Sequence, residues 1–236
     1  MSVYAVVPAA GKGKRLGTKI PKAYLPVFGK PLFIHTLRAL KKAHSFREIV
    51  LVVDISRIAQ ARKELVRHRL SRVWLTSGGA TRAESVRNGL LALPEGRHLV
   101  AVHDAARPLV SREVVRRTLA AAKKGPSTGS GRCAGAICAV PISSTVKRLD
   151  IKKGTLRGTE DRRELVLAQT PQVFDRSLLL ARYETLGAKA LQATDEAALF
   201  DGTKHRVRVV EGDEQNLKVT TKNDLESLKK SLRAGG

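Results

Sequence analysis

Acidic residues are scarce in this chain. Its 236 residues carry 44 Lys+Arg against 21 Asp+Glu, a formal net charge of +23. So basic a balance asks for anionic partners and raises nucleic acid first. Aromatic residues, at 4%, are too few for a base-stacking platform. The cations are also spread along the whole chain rather than gathered in a tail. Nucleic acid is therefore not the expected partner. No run of about 18 apolar residues occurs, so no membrane-spanning helix is expected. An apolar strand follows Met1 almost at once, leaving no room for a signal peptide. Only Cys133 and Cys138 are cysteines. Two cysteines five apart make neither a disulfide framework nor a zinc site. They read as small apolar residues on or beside one strand, in a reducing cytoplasm.

With 42% hydrophobic residues, the length supports one substantial core. The expectation is a single domain, 1–236, with one excursion. Strands and helices alternate. Residues 3–8, 48–53, 72–75 and 98–103 are apolar runs that read as buried strands. Between them, 31–43, 57–70, 81–93 and 111–123 carry helical spacing. Apolar strands separated by helices argue an α/β fold, with a mostly parallel sheet covered on both faces. Residues 125–131 read as a flexible surface loop. Ala134 to Val140 is a further strand, and 145–149 with 155–158 reads as a hairpin around Lys152-Lys153-Gly154. This arm, at about 141–160, has little core of its own and is expected to pack on a second subunit. Helices are expected at 175–186 and 194–201, short strands at 206–210 and 217–219, and a final helix capped by Thr221.

The richest stretch lies near the start. Val3-Tyr4-Ala5-Val6-Val7 empties into Pro8-Ala9-Ala10-Gly11-Lys12-Gly13-Lys14-Arg15-Leu16-Gly17, followed by Pro21-Lys22. Small residues let backbone N–H groups approach phosphate oxygens, and the cations add charge around the same place. The loop is not of the Walker type, which needs Gly-x4-Gly-Lys-Ser/Thr. Gly11, Gly13 and Gly17 miss the dinucleotide spacing by one residue. A tight strand-to-helix connection and a polyphosphate loop both fit it.

Ligands of parallel sheets bind beyond the carboxyl ends of the strands. The glycine-rich loop, Gly78-Gly79 and Asp104 all fall at such ends. Asp104, in His103-Asp104-Ala105-Ala106-Arg107-Pro108, could bind a ribose hydroxyl, hold Mg²⁺ near phosphates, or simply pair with Arg107. His103 reads as a packed strand-end residue. Arg162 could clamp a phosphate or pair with Asp161 or Glu164. Thr194-Asp195-Glu196 reads as a helix start, and Lys218 alone says little. There is no Ser-His-Asp pattern and no His pair at metal spacing.

Taken in order, these motifs resemble a known family. They are Pro8-Ala9-Ala10-Gly11-x-Gly13-x-Arg15-x-Gly17, Pro21-Lys22-x-Tyr24-Leu25, Gly78-Gly79-x-Thr81-Arg82-x-x-Ser85-Val86, His103 to Pro108, Thr145-x-Lys147, Thr159-x-Asp161-Arg162, Gln169-Thr170-Pro171-Gln172, Thr194-Asp195-Glu196 and Asn216-x-Lys218. The set is similar to the 2-C-methyl-D-erythritol 4-phosphate cytidylyltransferases of the non-mevalonate isoprenoid pathway, from residue 3 to about 228. The resemblance implies a Rossmann-like nucleotidyltransferase fold and transfer of CMP from CTP, with Mg²⁺. It implies that Ala9, Ala10, Gly11 and Gly13 hold CTP, and that Arg15 and Lys22 are catalytic. It places Gly79 and Ser85 around cytosine, and Asp104 and Ala105 at the ribose with Mg²⁺ nearby. Arg107 belongs with these substrate contacts. Thr145, Arg162 and Lys218 would place methylerythritol phosphate. It also implies a homodimer in which the arm carries Arg162 to the neighbour's site. Ser144, Val166 and Ala80 depart from the family's usual residues, in the arm and beside the base pocket, and the loop 123–132 is long. A related cytidylyltransferase acting on ribitol 5-phosphate usually opens with Gly-Gly-Thr-Gly, which this chain lacks. A non-catalytic RNA-binding module has only the charge in its favour.

Overall fold

Central strands that are apolar on both sides dictate a layered molecule. The computed structural model describes residues 1–11, 20–123 and 133–234. Gly13, Arg15 and the stretch 125–131 lie outside them. The elements run β1 (Val3–Pro8), α1 (Leu32–Ala43), β2 (Ile49–Val53), α2 (Ile58–Arg67), β3 (Val73–Ser77), α3 (Arg82–Leu91), β4 (Leu99–Val102) and α4 (Arg112–Lys123). Then come β5 (Cys133–Pro141), β6 (Lys147–Asp150), β7 (Thr155–Thr159), β8 (Val166–Asp175), α5 (Arg176–Leu186), β9 (Arg206–Glu211) and α6 (Lys222–Ala234). Seven strands form one sheet in the order β9-β5-β8-β4-β1-β2-β3. Only β8 runs antiparallel to its neighbours β4 and β5; the other pairings in this sheet are parallel.

Alternation along β1 sorts the layers. Val3, Ala5 and Val7 pack with Phe33, Ile34, Leu37 and Leu40 of α1, Ala61 and Leu65 of α2, and Val114 and Leu119 of α4. Tyr4 and Val6 point the other way, toward Val86 and Leu90 of α3 and Leu179 and Tyr183 of α5. Successive side chains of a strand face opposite sides, so one apolar run serves two cores. Each buried Val, Leu or Phe contributes roughly 1.5–3 kcal/mol. A smaller cluster seats α6 through Leu228 against Val27, Leu32, Ala106 and Val219.

Three expectations change. The ten-residue strand β8 was not anticipated, because Gln169-Thr170-Pro171-Gln172 is polar and contains proline. The register shifts between Ala168 and Gln172, so Pro171 sits where the ladder is already broken and costs no bond. Residues 217–219 are not a strand; Val219 N–H instead donates to Ala106 O at 2.9 Å, beside the loop after β4. The expected helix at 194–201 is only a short 3₁₀ turn, Ala197–Phe200.

Strands β6 and β7 form a separate two-stranded hairpin. Asp150 organises its turn: Oδ1 accepts from Lys152 and Lys153 N–H, and Oδ2 accepts from Arg157 at 2.7 Å. Its apolar side chains stand in the open, with Leu149 54%, Ile151 87% and Leu156 65% exposed.

Helix α3 approaches the sheet closely at Gly89. A Cβ there would lie 2.5 Å from Val6 Cγ1 and 2.9 Å from Val52 Cγ2. Both valines are fully buried and stiff at χ1. Alanine gains about 1 kcal/mol of helix propensity, but overpacking costs roughly 1–3 kcal/mol. Gly89→Ala should therefore destabilise the protein, and a lower urea midpoint at unchanged slope is the expected reading.

Candidate functional site

The carboxyl ends of β1, β3 and β4 open on one cavity of about 780 Å³. Ala9, Ala10 and Gly11 line it from β1, and Gly79, Thr81, Arg82 and Ser85 from the β3–α3 turn. Asp104 and Ala105 come from the end of β4, and Lys22, Asp54 and Lys218 complete the wall.

Each part is held by local chemistry. Lys22 opens a 3₁₀ turn, Lys22–Tyr24, in which Ala23 and Tyr24 are buried. Tyr24 meets the edge of Phe33 with ring centroids 5.2 Å apart, which anchors the turn to α1. Burial pushes the Tyr24 phenol up to about 12, so it stays neutral. In the β3–α3 turn, Gly78 N–H donates to Val53 O at 2.8 Å. A Cβ at Gly78 would overlap that of Ala10 and lie 2.9 Å from Ser85 Oγ, so only glycine lets the two loops meet. Ser85 Oγ accepts from Gly79 N–H at 3.1 Å and donates to Thr81 O at 2.9 Å. Thr81 caps α3, accepting from Glu84 N–H at 3.1 Å.

Asp104 is 7% exposed and meets three cations: Arg82 Nε at 3.2 Å, Lys218 Nζ at 2.7 Å and Arg107 Nε at 3.7 Å. Burial alone would raise its pKa, but Arg82, Lys218 and Arg107 outweigh it and hold the carboxyl well below the usual range. Arg82 also donates to both oxygens of Glu196, at 2.8 and 3.1 Å. Burial pushes Glu196 up, with Arg82 opposing. Glu196 is placed by Gln172, whose Oε1 accepts from Glu196 N–H and Ala197 N–H while its Nε2 donates to Asp195.

A second polar net sits behind the first. His103 is fully buried, and burial lowers its pKa to about 4. Its Nε2 lies 3.0 Å from Arg107 O; a carbonyl only accepts, so Nε2 carries the proton. Nδ1 then accepts from the Thr170 hydroxyl at 3.0 Å, and Thr170 Oγ1 accepts from Asp104 N–H at 3.1 Å. Asn216 donates to Thr170 O at 2.8 Å, and Arg107 donates to Asn216 O at 2.6 Å. These bonds bring the segment with Lys218 to Asp104.

Among the described residues, no cluster of three or more His, Cys, Asp or Glu could hold a metal. Mg²⁺ carried by a polyphosphate needs only one or two carboxylates, and Asp104 fits that requirement. Lys218 holds its Oδ2 and would have to release it.

The structure thus gathers Ala9, Ala10, Gly11, Lys22, Gly79, Ser85, Asp104, Ala105 and Lys218 on one wall. Arg107 does not line the cavity; its buried guanidinium ties Asn216 and Ala168 behind Asp104. Thr145 and Arg162 are exposed at the hairpin and do not reach the cavity of their own chain. Gly13 and Arg15 lie outside the described residues. Sequence reasoning gave no role to Arg82 or Glu196. Their motifs stood out, but a capping residue and a half-buried arginine look alike in sequence.

The family model described as "IspD: 2-C-methyl-D-erythritol 4-phosphate cytidylyltransferase" matches residues 3–233. A 2-C-methyl-D-erythritol 4-phosphate cytidylyltransferase of Xylella fastidiosa is 42% identical over 229 residues, covering 95% of this chain and 94% of the relative. One from Geobacter metallireducens is 36% identical over 231 residues, covering 95% of each. The crystal structure of the Anaerococcus prevotii 4-diphosphocytidyl-2C-methyl-D-erythritol synthase superposes with a TM-score of 0.82 at 28% identity, covering 98% of this chain and 96% of that one. The Thermus thermophilus enzyme gives 0.76 at 33% identity, covering 99% and 100%. A match this long joins strand order, cavity and motif order in one lineage: the chain belongs to the 2-C-methyl-D-erythritol 4-phosphate cytidylyltransferase family.

Proposed function

We propose that this protein transfers CMP from CTP to 2-C-methyl-D-erythritol 4-phosphate, releasing pyrophosphate and 4-diphosphocytidyl-2-C-methyl-D-erythritol. One observation carries the reading: a cavity walled by small residues and cations at the strand ends, with the carboxylate of Asp104 held among the cations. The chemical problem is repulsion. At about 4 Å, each pair of like unit charges costs on the order of 4 kcal/mol at an effective dielectric of 20, and a phosphate dianion must approach a polyphosphate. No general base is needed, because a phosphate monoester is mostly ionised near neutral pH. Catalysis becomes positioning and charge stabilisation.

In this reading Ala9, Ala10 and Gly11 let backbone N–H groups approach the CTP phosphates. Gly79 and Ser85 shape the base pocket, and Asp104 with Ala105 takes the ribose. Arg15 and Lys22 stabilise charge at the α-phosphate. Lys218, Thr145 and Arg162 hold the attacking phosphate in line. Asp104 would help hold Mg²⁺ brought by the nucleotide, which would supply further charge neutralisation. The setting is the cytoplasm.

Turnover decides the substrates. Pyrophosphate release should be far faster with CTP than with ATP or GTP, and with methylerythritol phosphate than with ribitol 5-phosphate. Equal rates with ATP would sink the cytidylyl reading. Lys22→Ala should lower kcat by roughly 10²-fold or more, with little change in melting temperature. A near-normal kcat would make Lys22 a solvated surface residue.

The hairpin belongs to a homodimer in this proposal. Leu149, Ile151 and Leu156, with Val166 and Leu167 at its base, expose apolar surface that a second copy would cover. Arg162 would then serve the neighbour's site. Mixing Arg162→Ala with Lys22→Ala subunits tests this: a mixed dimer has one site with both lesions and one with neither. Partial recovery of activity is expected. A monomer in solution, or no recovery after verified exchange, rules the shared site out.

A further inference from the structure

We propose that Arg82 and Glu196 are a positioning pair: Glu196 aims the Arg82 guanidinium so that it fixes Asp104 for the nucleotide. The inference rests on the functional reading above and assigns roles that the motifs alone did not.

Glu196 is 1% exposed, and Arg82 is its charged hydrogen-bond partner. Both Glu196 oxygens accept from Arg82, through Nη1 and Nη2. This end-on grip uses the planar fork that lysine lacks. It leaves Nε–H pointing one way, and that bond goes to Asp104 Oδ1 at 3.2 Å. A carboxylate in this place therefore sets the rotation of the arginine, and the arginine sets the carboxylate on the cavity wall. The segment carrying Glu196 is itself pinned to β8, since Gln172 takes two of its backbone N–H groups.

The two oxygens of Asp104 are then unequal. Oδ1 is tied through Arg82 to a buried anchor. Oδ2 is held by Lys218, whose side chain is 36% exposed on a flexible stem, and lies 3.7 Å from Arg107. Oδ2 is therefore the oxygen that can exchange its lysine for a ribose hydroxyl or a nucleotide-borne cation, while Oδ1 keeps the carboxylate from turning. An unclamped Arg82 would be a loose cation in the cavity, able to follow Asp104 or the phosphates into unproductive geometry.

The test is a double-mutant cycle read in CTP affinity. Arg82→Lys keeps the charge and loses the fork. Glu196→Gln keeps the shape and loses the charge. CTP binding in Mg²⁺ is measured by calorimetry, and KM is measured for both substrates. Each single variant should weaken CTP binding by about tenfold or more, the loss expected for a charge-assisted bond. The double variant should bind no worse than the weaker single, because each residue acts through the other. KM for methylerythritol phosphate should stay within about twofold. CTP affinity equal to wild type, additive losses, or a parallel fall in both substrates' affinities would overturn the proposal; the last would mark a purely structural role. Should Glu196→Gln not fold, Arg82→Lys decides alone, since that side chain is one-quarter exposed. Wild-type turnover of CTP is assayed beside the variants, so failure of the functional reading is seen separately.

Discussion

The carboxylate of Asp104 is the constraint on which the site depends. Burying an ionised carboxyl costs several kcal/mol, and one imperfect ion pair does not offset that. Here Arg82, Lys218 and Arg107 share the work. They come from the start of α3, from the segment before α6, and from the loop after β4. The electrostatic demand of one side chain thus fixes where three parts of the chain must meet. The cavity is what remains between them.

The polar net behind Asp104 makes that meeting reproducible. His103, Thr170, Gln169 and Asn216 are buried, and each makes hydrogen bonds to backbone or to one another. Unsatisfied, such groups would cost about 1–3 kcal/mol apiece. Satisfied, as these side chains are apart from Asn216 Oδ1, they specify one arrangement. This accounts for a polar stretch in the middle of β8. Gln172 sits opposite Val102 in the sheet, yet its side chain reaches forward to residues 195–197. The strand is a scaffold on its ladder side and a clamp at its tip.

Much of this was legible in the sequence, and the exceptions have physical causes. The strands Val3–Pro8 and Ile49–Val53 announce themselves because both faces are buried. The helix expected from Thr81 starts there, since the Thr81 side chain that caps it acts locally. The strand at Val166–Asp175 was hidden: its neighbours in the sheet are distant in sequence, and its bulge accommodates a proline that local propensity counts against a strand. Arg107 stood among the substrate contacts only through the resemblance, while its spacing suggested a partner of Asp104. Its guanidinium lies 3.7 Å from Asp104 and also donates to the carbonyls of Asn216 and Ala168, contacts set by residues far along the chain. The ion pair of Arg82 with Glu196 joins residues 114 apart, which no spacing rule reaches.

Among the described residues, the cations around the cavity fall into two kinds, and the division follows side-chain chemistry. Arg107 is buried, Arg82 is one-quarter exposed at the cavity, and both donate along fixed directions to carboxylate or carbonyl oxygens. A planar guanidinium suits this, since its donors are rigid and it does not lose its charge. Lys22 and Lys218 also line the cavity. An ammonium is a compact charge on a flexible stem, with donors that rotate to follow a partner. Reaction moves charge: it builds on the α-phosphate and leaves with pyrophosphate. A guanidinium fixed by several oxygens is suited to hold the frame of the cavity, as Arg82 and Arg107 hold Asp104, and an ammonium on a flexible stem is suited to follow charge that moves.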